Sequence, residues 1–154
     1  MLAKTLLAVA VALSLAGDPK NAISIEGTWT PEKAELGGKP FPSEVRKTMK
    51  LVVKGDEYTV SVGEVVDRGT LKLDPKAKPR TIDITSTEGP NKGTTFLAIY
   101  ERDGDTLRVC YDLSGKDRPT KFETKEGTQL FLVTYKLQKS ERFRLIKPRD
   151  MRIA

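Results

Sequence analysis

Carboxylates are the only side chains that cluster closely enough in this sequence to suggest acid–base chemistry. Asp103, Asp105, Asp112 and Asp117 fall in one short stretch. A pair of carboxylic acids can run glycoside hydrolysis, one as acid and the other as base or nucleophile. The same cluster could ligate calcium, but its spacing is not that of an EF-hand loop. Asp103 and Asp105 flank Gly104, and Asp beside Gly is favoured in tight hairpins for backbone reasons alone. The cluster is therefore assigned to turn geometry, no residue is given a catalytic role, and the chain is not expected to be an enzyme.

Other chemistries fall by absence. The 154 residues contain no histidine. That removes Ser-His-Asp and Cys-His nucleophilic centres, and every His-ligated zinc or haem site built by this chain alone. A single cysteine, Cys110, excludes an intrachain disulfide and a Cys-rich metal site. Two readings of Cys110 are open, a reactive or intermolecular thiol or a small hydrophobe. The strand-like run Leu107–Tyr111 favours the second, since free Cys is among the most buried residues. Gly37-Gly38-Lys39 and Lys54-Gly55-Asp56 lack the spacing of a phosphate loop and a helix to follow it. No cofactor and no metal are implied.

The elements that must position any site are strands. Short alternating segments recur between turn signals, and no long helical period intervenes. Ile25–Thr30 is a first strand, Pro31–Pro42 a loop, and Ser43–Lys47 one helical turn capped by Ser43. Thr48–Lys54, Glu57–Val62, Val65–Leu73, Thr81–Thr85, Thr94–Arg102, Asp105–Leu113 and Gln129–Leu137 follow, with Phe122–Lys125 a further short candidate. Many of the links are of hairpin length. This predicts an all-β domain over residues 17–139, an antiparallel up-and-down barrel of about eight strands, with a sandwich as the alternative. Met49, Leu51, Tyr58, Val60, Leu71, Ile82, Phe96, Val109 and Tyr111 are the inward candidates. Either they line a cavity for a small hydrophobic ligand or they fill the barrel. The first outcome makes a binding module. The second makes a structural or interaction module of the cell envelope, using its loops or its basic tail.

The residues now in view carry a resemblance. Gly27-Thr28-Trp29 matches the Gly-x-Trp motif that opens the first strand of lipocalins. The run from about Ile23 to Leu137 resembles the secreted lipocalin-like domain family expanded in planctomycete bacteria. The matching stretches are Glu26-Gly27-Thr28-Trp29, Gly38-Lys39-Pro40, Lys54–Val60, Gly69–Pro75, Asp103–Cys110 and Gly115–Pro119. The resemblance implies a small extracytoplasmic β-barrel and no assigned activity. Two readings of Trp29 are open, a stacking platform for a ligand or a plug closing one end of the barrel; the resemblance implies the plug.

The termini speak to compartment and charge. MLAKTLLAVAVALSLAG reads as a secretory signal over residues 1–16: Lys4 precedes a short apolar run, and Ser14-Leu15-Ala16 suits cleavage. The run has about eleven residues where a membrane span needs about twenty, so a spanning anchor is not expected. Lys4 leaves with the signal, so the mature chain carries 26 basic and 21 acidic residues. Residues 136–154 hold seven of those bases and two of the acids, and residues 17–135 are balanced at 19 against 19. The body therefore shows no basic stripe, and no specific nucleic-acid partner is expected. The tail, residues 140–154, either meets an anionic surface or is simply solvated. N-terminal sequencing of the exported protein is expected to begin at or next to Gly17; an intact Met1 on the mature chain would contradict the signal.

Overall fold

Alternation of apolar and polar residues builds an antiparallel barrel in the computed structural model, which describes residues 24–139. The expected signal segment, 1–16, and the basic tail, 140–154, lie outside the described residues. The strands are β1 (Gly27–Leu36), β2 (Lys39–Pro40), β3 (Met49–Lys54), β4 (Glu57–Val62), β5 (Val65–Asp74), β6 (Arg80–Glu88), β7 (Thr95–Asp103), β8 (Thr106–Asp112) and β9 (Leu130–Leu137). One helical turn, α1 (Ser43–Arg46), lies between β2 and β3. Strand β2 is a two-residue addition to the end of β1. The other eight run up and down in chain order, and β1 pairs with β9 to close the sheet. The result is a lipocalin-like all-β barrel rather than a sandwich. Closure leaves no long strand edge unpaired, the usual liability of an open sheet.

The first strand is longer than its sequence suggests. Pro31 has no N–H for the ladder, which is why Pro31–Pro42 reads as a loop. Here a register shift between Pro31 and Lys33 absorbs the proline, and pairing with β9 resumes through Leu36. The carbonyls of Pro31 and Glu32 both accept from the Arg46 guanidinium of α1. A turn after the loop thus satisfies the bulge within it. Ser43 does not cap α1: the capping position falls on Pro42 and carries no side-chain hydrogen bond. Phe122–Lys125 is not a strand. It belongs to a strap, residues 114–129, that crosses the outside of the barrel.

That strap explains a second buried layer. Ile99 and Cys110 face each other in the β7–β8 register and point outward, yet both are buried. The Cys110 thiol lies 3.6 Å from the Glu123 carbonyl of the strap, and burial pushes its pKa up. Arg118 donates to the Ala98 carbonyl at 2.8 Å and pairs with Asp83 at 2.5 Å. Arg108 sits 4.7 Å over the Phe122 ring, a cation–π contact. Thr124 bridges to Glu35 and to the Gly38 N–H of the β1–β2 turn.

One end of the barrel is shut by Trp29. Its side chain is fully buried, and its indole N–H donates to the Ile25 carbonyl at 2.9 Å. The Arg102 guanidinium lies 5.1 Å from the ring centroid and donates to the Ser24 carbonyl at 2.6 Å. The lead Ser24–Glu26 is thereby held across the end of the barrel. Trp29→Ala is expected to cost about 3–5 kcal/mol in urea unfolding, the range for a buried large aromatic. A loss under about 1 kcal/mol would show that the barrel end does not depend on it.

Candidate functional site

Inward residues of a small barrel either meet at its axis or leave a space. Here they leave a cavity of about 380 Å³. Alternation brings Met49, Leu51 and Val53 to it from β3, Tyr58, Val60 and Val62 from β4, Leu71 from β5, and Ile82 and Ile84 from β6. Phe96, Val109, Tyr111 and Tyr135 complete the ring from β7, β8 and β9. All nine residues singled out as inward candidates lie on this wall. Trp29 is not part of it.

The half-exposed wall residues Leu36, Phe41, Val62, Phe96, Leu113 and Phe131 sit at the end opposite Trp29. Phe41 comes from the stretch read as a plain loop. Its N–H donates to the Ala34 carbonyl at 2.8 Å, which turns the chain back over the barrel. Its ring meets Phe131 at 5.3 Å and 56°, and Phe131 meets Tyr111 at 5.9 Å. These are tilted aromatic contacts of the favourable kind.

Two polar features interrupt the apolar wall. The Tyr111 and Tyr135 hydroxyls lie 3.0 Å apart. The other is a corner built on Asp67, which is only 5% exposed. The Tyr58 hydroxyl donates to Oδ2 at 2.8 Å, the Ser86 hydroxyl to Oδ1 at 2.8 Å, and the Asn91 N–H to Oδ1 at 3.3 Å. Gly69 makes this corner possible. It stands opposite Tyr58, and the β5–β6 register shifts between Arg68 and Gly69. A side chain there would put its Cβ 1.9 Å from the Thr85 carbonyl oxygen and 2.8 Å from the Tyr58 ring. The regular β5–β6 ladder runs through the pair Gly69 and Ser86, two residues along β5 from Asp67, and the register shifts just beyond it.

Asp67, Asn91, Phe41 and Phe131 were not among the sequence candidates. Asp67 was nonetheless legible: it lies four residues before Leu71, and period-two alternation puts both on one face. Ser86 was legible in the same way, two residues beyond Ile84 on β6; Asn91 had no such signal, because the loop after β6 brings it in.

The acidic cluster is not gathered into one site. Asp103 and Asp105 are exposed at the β7–β8 hairpin, and Asp112 and Asp117 belong to the other end of β8. Burial alone would push the Asp112 carboxyl up. Hydrogen bonds from the Ser114 hydroxyl and the Asp117 and Ser114 N–H groups outweigh it and hold the carboxyl below its usual value. Asp112 thus pins the start of the strap. Compared with protein-family models, curated proteins and solved structures, the chain shows no match.

The tyrosines make the interior sensitive to alkali. All four of the chain's tyrosines have pKa values raised above the usual 10.0. Burial is the main cause in each, and Tyr135 is pushed up to about 12 against an opposing hydrogen bond from Tyr111. For Tyr58 the hydrogen bond and charge of Asp67 add to burial. A raised native value means that the folded chain holds the proton more tightly than the unfolded chain. The stabilisation is intact below the ordinary tyrosine pKa of about 10 and is lost as pH rises through the native values. Spectrophotometric titration is expected to show little tyrosinate at pH about 10, then cooperative ionisation together with loss of β-sheet signal at higher pH. Ionisation of half the tyrosines near pH 10 with the fold intact would contradict the buried hydroxyls.

Proposed function

We propose that this chain is a non-enzymatic, extracytoplasmic binding barrel that takes a small, largely apolar molecule in its cavity. One observation carries the reading: side chains leave about 380 Å³ unfilled inside a closed barrel. Small-molecule sites span roughly 300–1,000 Å³, so this volume lies at their lower end. A barrel serving only as a scaffold would gain stability by packing that space, because an internal void forfeits contacts on every side. The half-exposed aromatic group at the end opposite Trp29 suits ligand entry. The signal-like residues 1–16 support the compartment, and so does the resemblance to the secreted lipocalin-like family of planctomycetes.

The neutral fluorophore N-phenyl-1-naphthylamine tests the reading. Its emission is expected to rise saturably on titration with the full mature chain. Val60→Trp, which fills the cavity from β4, is expected to weaken the apparent Kd about tenfold or more. Val66→Trp, on the outer face of β5 where Val66 is 40% exposed, should bind like the unmodified chain. Circular dichroism confirms that both variants fold. No saturable emission from the unmodified chain, or equal loss in both variants, would overturn the proposal.

A further inference from the structure

Asp67 is the single charged side chain among the described residues that line the cavity. The other titratable groups facing the cavity are Tyr58 from β4, Tyr111 from β8 and Tyr135 from β9, and none of them is a base. The four ion pairs formed among the described residues do not include Asp67. The adjacent Arg68 points outward and pairs with Glu88 at 3.6 Å. Three donors reach the carboxylate, two on Oδ1 and one on Oδ2. A carboxylate offers about four acceptor positions, so one remains, on Oδ2. A buried carboxylate with hydrogen bonds but no counter-charge is unfavourable, and a partner that brings positive charge relieves it.

We propose that the cavity takes amphiphiles with an ammonium head, Asp67 supplying the counter-charge and the apolar wall the seat for the hydrocarbon. The inference rests on the binding reading above and sharpens it to a ligand class. A primary ammonium brings charge and three donors, one of which fits the remaining position on Oδ2. An alcohol brings a donor without charge. A carboxylate brings a second negative charge to a buried one and is disfavoured. Val60 stands opposite Asp67 across the β4–β5 pair, and Leu71 lies two steps of alternation further along β5, past Gly69. An alkyl chain leaving Asp67 therefore runs over apolar side chains at once.

Three probes of equal chain length separate the possibilities: octylamine, octan-1-ol and octanoic acid, each displacing N-phenyl-1-naphthylamine from the full mature chain at pH 7. Octylamine is expected to bind about tenfold tighter than octanol or better, the scale of one charge-assisted hydrogen bond, with octanoate weakest. Asp67→Asn is expected to erase the preference for amine over alcohol while octanol affinity changes by less than about threefold. The Tyr58 hydroxyl can rotate to accept from the new amide, so this variant keeps the corner bonded. Tyr58→Phe frees Oδ2 further and is expected to retain the amine preference, which guards against a general effect of disturbing the corner. Octanoate binding as tightly as octylamine, or an amine preference that survives Asp67→Asn, would overturn the ammonium proposal and leave the binding barrel standing. Failure of all three probes together with the fluorophore would overturn both.

Discussion

Pairing of β1 with β9 is the contact on which the rest of the molecule depends. Seven hairpin-ordered strands after β1 make only a curled sheet until its two edges meet. Their meeting is awkward, because Pro31 interrupts the donor row of β1 in mid-strand. The chain resolves this with the bulge between Pro31 and Lys33 and with Arg46, which reaches back to the two carbonyls there. At the other extremity Gln138 donates through its N–H to the Thr28 carbonyl at 2.7 Å and through its side chain to Thr30. Closure also turns period-two alternation into an inside and an outside. Without it the inward side chains would face water, and the cavity would not exist.

The two ends of the barrel then differ for reasons that can be traced to single residues. Trp29 and Arg102 shut one end, the indole filling it and the guanidinium tying the Ser24–Glu26 lead across it. At the other end the chain uses half-exposed aromatics, Phe41, Phe131 and Tyr111, set by a turn and two strand termini rather than by a plug. The strap of residues 114–129 covers the outer face of β7 and β8 and explains why Cys110, outward in the alternation, is nonetheless buried. The wall is therefore backed by a second layer on the strap side. Its chemical contrast lies across the barrel, where β5 meets β4 and β6.

That contrast depends on one glycine. A regular β5–β6 ladder with a side chain at position 69 would collide with the Thr85 carbonyl and with Tyr58. Glycine at that position avoids both, and the ladder sets Ser86 opposite it, beside Asp67. A carboxylate with three donors and no cation results, inside a wall that is otherwise almost wholly apolar. The missing side chain at position 69 leaves room for the Tyr58 ring beside Asp67, and so gives the cavity a polar end.

The sequence alone determined what depends on neighbours along the chain. Period-two alternation marked the strands and the nine inward residues, because each side chain's face follows from its position in the pleat. Asp103-Gly104 and Gly55-Asp56 marked hairpins, because positive φ is needed there and glycine supplies it at little cost. Missing histidines and paired cysteines narrowed the chemistry before any fold was known. Tertiary structure decided what depends on partners distant in sequence. It decided that β1 continues past Pro31, because β9 and Arg46 satisfy the bulge; that Phe41 belongs to the wall, because a loop folds back over it; and that Asp67 meets Tyr58, Ser86 and Asn91, because β4, β6 and the loop after β6 are brought to it from either side. Above all it decided that the inward side chains enclose a space and do not fill it. Alternation states which way a residue points, but the distance across a barrel is set by the closure of all eight strands together.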